Sequence, residues 1–247
     1  MTEHILSLIV AAPFVAALIL LFLPPKQYAL IRLTSALGAL ISLLGSFYVA
    51  FLYNSQAGGL QLAEVYPLVP SLGIEIRLAV DGWGVSLLIL TGIIIFAGVL
   101  ASFSLTDRCK EFFVLLLVLV AGVFGVFVSQ DLFVFFLFYE IAVLPMYLLI
   151  GIWGSSHKVT EAGPLRFVWK WFDIGGREYA AMKLTLMLLV GSAFILVGLL
   201  AMYFSAGAGT FDMAVLAKAH YPRSLQLWAF VLFWMGFGSL AGVFPFH

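Results

Sequence analysis

Residues 132–153 read LFVFFLFYEIAVLPMYLLIGIW, and this run decides the class of fold because it holds a single charged side chain, Glu140, among apolar ones. An α-helix rises about 1.5 Å per residue, so a run of this length crosses the roughly 30 Å of hydrocarbon in a bilayer. The stretch therefore predicts a transmembrane helix.

The rest of the chain repeats this pattern. Hydrophobic residues make up 64% of the sequence and charged residues 10%, whereas soluble domains carry roughly a quarter charged residues. No soluble core could use that much apolar surface. We expect an all-α integral membrane protein that forms a single membrane domain over residues 1–247. The apolar blocks predict seven helical spans, at about residues 5–23, 29–53, 82–105, 112–128, 132–153, 180–204 and 225–244.

The charge pattern excludes a nucleic-acid partner, because the formal net charge is zero and the basic residues are scattered. The opening residues, Met1-Thr2-Glu3-His4, lack the basic segment of a signal peptide. Six more spans follow, so we expect the first span to be retained as a helix of the mature protein.

Three connections between the spans are longer than a tight turn. Residues 54–80 contain Gly and Pro around an alternating apolar and polar stretch at 74–78, which predicts a short exposed hairpin. Residues 154–179 form the most hydrophilic connection, and their Trp-containing stretch at 165–172 is typical of an amphipathic segment in the membrane interface. Residues 205–224 form a third polar connection.

Lysine and arginine residues divide unequally between the two sides that seven spans create. By the positive-inside rule the more basic side is cytoplasmic, so we expect the N-terminus outside and the chain to end at the cytoplasmic face. The more basic side carries Lys26, Arg32, Arg108, Lys110, Lys158, Arg166, Lys170 and Arg177. The other side carries Arg77, Lys218 and Arg223.

Glu140 is the first candidate for a functional residue. A carboxylate near the bilayer centre costs on the order of 2.5 to 3.5 kcal/mol even on insertion scales, so an acid retained there usually has a function. Glu140 follows Asp131 by nine residues, about 13 Å along a helix, which places it close to the midplane. Burial favours the protonated carboxyl group and a nearby lysine favours the ionised one, so a movable cation can load and unload a proton. The alternative is a protonated Glu that hydrogen-bonds across a helix interface for structure alone.

Three further residues are weaker candidates. Lys183 lies near the start of the sixth span, where it either extends to the interface or takes part in a buried charge network with Glu140. Asp131 suits the N-cap of the fifth helix, with a place on the proton path as the alternative. His247 is the last residue and could be a proton carrier or a loop residue.

The seventh span is rich in helix-breaking residues. Gly236, Gly238, Gly242 and Pro245 fall within ten residues, a pattern typical of a helix that bends or breaks. Discontinuous helices mark ion sites in transporters. Close packing by small residues explains the glycines equally well.

Several motifs together indicate a family. The motifs are DGWGVS at 81–86, SQDLF at 129–133, YEIAVLPMYLLIGIWG at 139–154, AAMK at 180–183 and FPFH at 244–247. They resemble the NuoM/NdhD type of antiporter-like membrane subunit of respiratory complex I (NADH:quinone oxidoreductase chain M or subunit 4), and the stretch at 139–154 is the most specific of them.

The resemblance implies a fold of about fourteen helices with two inverted five-helix repeats, of which this chain holds the first part. We therefore expect a fragment, a truncated product or half of a split subunit whose partner is the missing C-terminal half. Carried over by position, Glu140 is similar to the family's essential membrane glutamate. The lysine that pairs with it would fall at about Leu240, and the seventh span holds no Lys or Arg. Either Lys183 or the missing half supplies the cation, or this relative does not pump.

The function implied by the resemblance is a proton-translocating membrane-arm subunit of NADH:quinone oxidoreductase, in a bacterial inner membrane or its thylakoid or mitochondrial equivalent. We expect no cofactor on this chain, because it has no cysteine cluster for iron–sulfur ligation and no paired haem histidines. NADH, FMN, iron–sulfur clusters and quinone are expected on other subunits, and the partners are other membrane-arm subunits and the lipid bilayer. The alternatives are a subunit of a multisubunit cation/proton antiporter or membrane-bound hydrogenase, and a non-pumping structural relative.

Overall fold

The computed structural model of the protein describes residues 4–155 and 176–244. Seven helices in these ranges are long and apolar enough to cross a membrane, which confirms the predicted all-α membrane class. They are α1 (Ile5–Phe22), α2 (Tyr28–Leu52), α3 (Gly82–Ala101), α4 (Cys109–Val128), α5 (Leu132–Trp153), α6 (Arg177–Ala206) and α8 (Arg223–Ala241). The other elements are a short helix α7 (Met213–Leu216) and two strands, β1 (Gln61–Val69) and β2 (Ile74–Val80).

Helix ends differ from the predicted spans by a few residues, because hydropathy does not show where the backbone leaves the helical conformation: α6 continues into polar residues, whereas α8 stops at a glycine. The sixth span was predicted over 180–204, whereas α6 begins at Arg177 and ends at Ala206. The last span was predicted to run to residue 244, but α8 ends at Ala241. The predicted interfacial segment at 165–172 and His247 lie outside the described residues.

The predicted hairpin is present, with β1 and β2 paired antiparallel and Tyr66 opposite Ile76. The prediction that it is exposed is wrong for β2, where Ile74, Leu78 and Val80 are at most 3% exposed. These side chains are buried because β2 lies across the ends of the helices, and Leu78 forms a β-bridge with Ser129 in the turn between α4 and α5.

The helices pack as neighbours in a bundle: α1 contacts α2 and α4, α2 contacts α3, α4 contacts α5, α5 contacts α6, and α6 contacts α8. Small residues allow the closest of these approaches. A Cβ atom on Gly125 of α4 would lie 2.3 Å from the Phe138 ring of α5, so only glycine fits at that crossing. This contact fixes α5, the helix that carries Glu140, against α4.

The connections gather at two opposite ends of the bundle. At the hairpin end, the Gln130 amide donates to the Arg77 carbonyl at 2.7 Å, and the Met213 amide donates to the Gln130 carbonyl at 3.0 Å. At the opposite end, the Lys110 ammonium donates to the Leu21 and Leu23 carbonyls at 2.8 Å each. Successive connections therefore alternate between ends, as seven spans require, while the side of the membrane that each end faces stays a prediction.

Candidate functional site

Asp131 opens α5 at the hairpin end and is only 1% exposed. Its Oδ1 accepts hydrogen bonds from the backbone amides of Phe133 at 2.9 Å and Val134 at 3.0 Å, which is the geometry of an N-cap. Its Oδ2 accepts a third from the Glu75 amide of β2 at 3.3 Å. The structure thus places Asp131 as the cap of α5 and as a tie between α5 and the hairpin, while its place on a proton path stays a prediction.

An ion-pair junction surrounds this cap. Arg77 of β2 pairs with Glu75 at 2.7 Å and with Asp212, the N-cap of α7, at 3.0 Å. Burial raises the pKa of Asp131 above its ordinary value, because loss of water disfavours the carboxylate, and the nearby Asp212 charge raises it further against the three amide donors. The junction joins the hairpin, the start of α5 and the connection between α6 and α8.

Glu140 lies near the middle of α5 and is half-buried. Its Oε1 is enclosed and has no hydrogen-bond partner among the described residues. A carboxyl oxygen enclosed in hydrocarbon without a donor is costly, so it is a place where a proton, a water molecule or a cation would be bound. The alternative interpretation requires a hydrogen bond from a neighbouring helix to this carboxyl group, and no described residue donates one to Oε1.

Tyr139 is a candidate that the sequence did not single out. Its side chain is 8% exposed and packs with Val143 and with Leu188 of α6. Its hydroxyl group is buried and has no hydrogen-bond partner among the described residues. Two consecutive residues of α5 thus each carry one unsatisfied polar atom. The sequence feature that could have indicated Tyr139 is its position in the middle of a span, because tyrosine is usually found at the membrane interfaces.

The depths of α5, α6 and α8 can be compared through their contacts. At the end opposite the hairpin, a Cβ atom on Gly154 would lie 3.4 Å from the Cβ atom of Arg177, so these residues are level. Glu140 and Gly191 each lie 14 residues from that level (154 − 140 and 191 − 177), which is about 21 Å by helical rise. Gly191 in turn faces Ser239 of α8. The end of α8 therefore lies at the depth of Glu140.

α8 ends at this depth in a well-formed C-cap. Gly242 has a positive φ of 62°, the Gly242 amide donates to the Ser239 carbonyl, and the Val243 amide donates to the Gly238 carbonyl at 2.9 Å. Gly236 packs against α6, which confirms the close-packing interpretation, and Gly242 ends the helix, while a discontinuous helix at an ion site stays a prediction. Leu240, near which the resemblance would place the family's lysine, stands directly before this end.

Lys183 is exposed on α6 and forms no ion pair with any described residue. It lies six residues from Arg177 and eight before Gly191, so it is about 12 Å along the axis from the depth of Glu140. The structure therefore places Lys183 and Glu140 on neighbouring helices without bringing them into contact. The role of each stays a prediction.

A buried acid on the hairpin was also missed by the sequence analysis. Glu64 of β1 is 5% exposed and accepts hydrogen bonds from the Leu6 and Ser7 amides at 2.8 and 3.2 Å, so it caps the start of α1 from a distant part of the chain. The Ser7 hydroxyl also donates to it. Because 57 residues separate Glu64 from Ser7, no local pattern could have indicated this contact.

Comparison with known families is consistent with this architecture. The family described as "NADH:quinone oxidoreductase/Mrp antiporter, TM" matches residues 129–175 and 168–247. The chain is 37% identical over 244 residues to NAD(P)H-quinone oxidoreductase chain 4 1 of Nostoc sp., with 98% of this chain and 42% of that protein aligned. It is 38% identical over 242 residues to the chain 4 1 protein of Synechococcus sp., with the same shares aligned. The chain spans less than half the length of these relatives.

Solved structures share the fold. A chain of respiratory complex I from Thermus thermophilus with bound NADH superposes with a TM-score of 0.76 at 26% identity, over 100% of this chain and 45% of that one. A chain of the Mrp complex from Dietzia sp. superposes with a TM-score of 0.73 at 20% identity, over 98% of this chain and 24% of that one. At 20% identity the second likeness shows the fold alone.

The seven membrane-spanning helices and the shared fold define a multi-pass membrane subunit of the antiporter-like class. The chain belongs to the family of membrane subunits shared by NADH:quinone oxidoreductases and Mrp antiporters, and within it the chain is similar to the first part of subunit 4. The resemblance predicted from the motifs at 81–86, 129–133, 139–154, 180–183 and 244–247 is confirmed.

Proposed function

We propose that this chain is a proton-translocating membrane-arm subunit of an NADH:quinone oxidoreductase, in which redox energy released in other subunits drives a proton on and off Glu140. The observation that carries the proposal is the enclosed Oε1 of Glu140, which has no donor among the described residues and lies level with the end of α8. A role in proton transfer explains why an acid is retained at this position despite its cost in the membrane. The names of the relatives from Nostoc and Synechococcus support the quinone oxidoreductase assignment over an antiporter.

Among the described helices, Lys183 is the best candidate for the basic partner of Glu140. Of the cations in these helices it lies deepest, six residues from the start of α6, whereas the others stand within four residues of a helix start. The distance of about 12 Å along the axis is too long for direct contact, so proton exchange between the two groups needs intervening water or a cation from beyond these residues. The Tyr139 hydroxyl belongs to the neighbouring residue on α5 and has no hydrogen-bond partner among the described residues, so it is a candidate to bind such a water molecule.

The test is proton pumping by the assembled complex in proteoliposomes. Glu140→Gln keeps the size and hydrogen-bonding capacity of the side chain and removes its titration. We expect NADH-driven acidification to fall to near background while the complex assembles normally. Glu111→Gln is the matched control, because Glu111 forms an exposed ion pair with Arg108 at a helix start and should leave pumping unchanged. Unchanged pumping in an assembled Glu140→Gln complex would show that this acid is not the relay.

A second function is favoured by one observation, the leucine at position 240. If the cation at that depth is required for pumping, the chain is a structural relative that preserves the packing of the arm. The two functions differ in one outcome. A structural subunit would assemble and support electron transfer equally well in the unaltered protein and in Glu140→Gln, with no change in the number of protons moved per electron pair.

We further propose that the redox cofactors, NADH, FMN, iron–sulfur clusters and quinone, are bound by other subunits of the complex.

We also propose that the hairpin end faces the outside of a bacterial inner membrane or its equivalent. The excess of lysine and arginine at the opposite end supports this orientation. Labelling of single cysteines placed at residues 57 and 108, in a protein whose native Cys109 is replaced by serine, with a membrane-impermeant maleimide tests it. The residue at 57 should react from outside and the residue at 108 only after permeabilisation.

A further inference from the structure

A cavity of about 300 Å³ lies between α1, α4, α5 and the hairpin, outside the proposed relay. Val10 and Ala11 of α1, Ala121 of α4 and Ile141 of α5 form part of its walls. Ala11 is exposed and Phe14, at the edge of the cavity, is 43% exposed. The cavity therefore opens on the lateral surface of the described bundle.

The cavity extends from the hairpin end towards the middle of the membrane. Ser7 lines it near the start of α1, and Phe14 lines it seven residues later, about 10 Å deeper by helical rise. Ile141 immediately follows Glu140 on α5. The depth of the cavity thus covers much of the leaflet on the hairpin side.

Polar groups occur only at the hairpin end of this cavity. The Tyr66 hydroxyl lies 2.6 Å from Nδ1 of the exposed His4 ring and 3.3 Å from the Ser7 hydroxyl. Glu64 is close to them, but it is buried and its carboxylate accepts hydrogen bonds from the start of α1. The lining is therefore almost entirely apolar, and the polar groups beside it gather at the hairpin end, where the head group of a lipid would lie.

An open apolar cavity at this depth does not stay empty. Protein interiors contain few voids larger than a water molecule, and the walls of an empty one lose their dispersion contacts. Water does not fill an apolar cavity in hydrocarbon, because it would find no hydrogen-bond partners. The volume is at the lower end of the range of about 300 to 1,000 Å³ found for small-molecule sites. Lipid chains are the apolar molecules available there.

We infer that this cavity binds one acyl chain of a lipid from the leaflet on the hairpin side, with the ester region of the lipid beside Tyr66 and His4. The small side chain of Ala11 leaves the room for the chain. A bound chain contacts Phe138 and Ile141, which lie two residues before and one residue after Glu140 on α5, and so supports the helix from the side that α6 does not cover. This site is independent of whether Glu140 carries protons.

The inference is tested by photo-crosslinking in the assembled complex. Vesicles contain phosphatidylethanolamine or, in a second sample, phosphatidylglycerol, each with a diazirine in the middle of one acyl chain, and labelled peptides are identified by mass spectrometry. We expect labelling at residues 10–14 and 138–141 to exceed labelling of the exposed α3 residues Ile93 and Ile94, with both head groups. Ala11→Phe fills the cavity and should lower the label there several-fold.

The control is Ala97→Phe, which adds the same ring to an alanine of α3, away from the cavity, and should leave the cavity label unchanged. Ala11→Leu adds a smaller side chain and should cause a smaller loss of the cavity label. This variant keeps the test possible if the Ala11→Phe complex does not assemble. Equal labelling of the cavity and of α3 would overturn the inference, as would a label that Ala11→Phe and Ala11→Leu do not lower. A crosslink from residues 10–14 to another polypeptide in place of lipid would overturn it as well.

Discussion

Asp131 connects local helix chemistry with the position of Glu140, because it caps the helix that carries the acid and also accepts a hydrogen bond from the hairpin. We expect Asp131→Ala to lower the stability of the subunit by about 1 kcal/mol through loss of the cap. Asp131→Asn keeps an oxygen that can cap the helix but cannot titrate, so pumping should be retained. Thermal unfolding in detergent and proteoliposome pumping measure the two effects. Loss of pumping in a stable Asp131→Asn complex would place Asp131 on the proton path.

Lys183 provides the second test at this scale. If it is the basic partner of Glu140, Lys183→Gln should reduce pumping as strongly as Glu140→Gln, whereas Lys183→Arg, which keeps the charge, should preserve part of it. The same proteoliposome assay measures both. Full pumping by Lys183→Gln would mean that this exposed side chain only reaches the interface, and that the cation comes from a segment beyond these residues.

At the scale of helices, the contact between α6 and α8 depends on Gly236. A Cβ atom there would lie 2.4 Å from Ile195 Cγ1 and 2.8 Å from the Gly191 carbonyl oxygen, so even alanine forces the helices apart. We expect Gly236→Ala to destabilise the subunit by about 1 to 3 kcal/mol, the usual range for overpacking.

Gly98 of α3 is the matched control, because a Cβ atom added there meets nothing within 4 Å. Gly98→Ala should leave stability unchanged or raise it by up to about 1 kcal/mol, since alanine loses less conformational entropy in a helix. The apparent midpoint of thermal unfolding, followed by tryptophan fluorescence in one detergent, compares the two variants. Equal midpoints would show that α6 and α8 do not pack as closely as the structure has them.

These elements also show what local sequence could predict. Long apolar runs indicated the seven spans, because hydrocarbon demands helices of that length, and the side-chain chemistry of Asp131 predicted the start of α5. The exact ends were less predictable, since α6 continues through polar residues at both ends and α8 stops where Gly242 takes a positive φ. The alternation at 74–78 indicated the hairpin but not its burial, which depends on helix ends that are distant in the chain.

At the scale of the whole molecule, the Arg77 junction holds together three parts of the chain that are far apart in sequence. Arg77→Met should leave Asp212, whose side chain is 11% exposed, without its cation. We expect faster amide hydrogen exchange in β2 and at residues 211–213, with no change in α1 and α2. Because Asp212 is mostly buried, the effect should exceed the roughly 1 kcal/mol or less that is typical of an exposed pair.

Arg108→Met is the control for that experiment. Arg108 also pairs with an acid close to it in sequence, but the Arg108 and Glu111 side chains are 50% and 52% exposed. We expect no change in exchange outside the turn between α3 and α4. Similar exchange at the hairpin in both variants would mean that the junction contributes no more than a surface ion pair.

The contacts that local sequence could not supply are all of this long-range kind. Glu64 caps α1, Arg77 reaches Asp212, and the end of α8 is level with Glu140 because α5 and α8 both pack against α6. Each depends on tertiary packing, which no local spacing encodes. The candidate acid itself was predictable, because a lone carboxylate in 22 apolar residues stands out from its surroundings.

The proposed relay requires Glu140 to change its protonation state during turnover, and infrared difference spectroscopy measures this most directly. Spectra of the assembled complex are recorded before and after addition of NADH, in the unaltered protein and in Glu140→Gln. We expect a band of a protonated carboxyl group that changes on turnover in the unaltered protein and is missing in the variant. Difference spectra that are the same in both proteins would contradict the relay, because Glu140 would then keep one protonation state while the complex works.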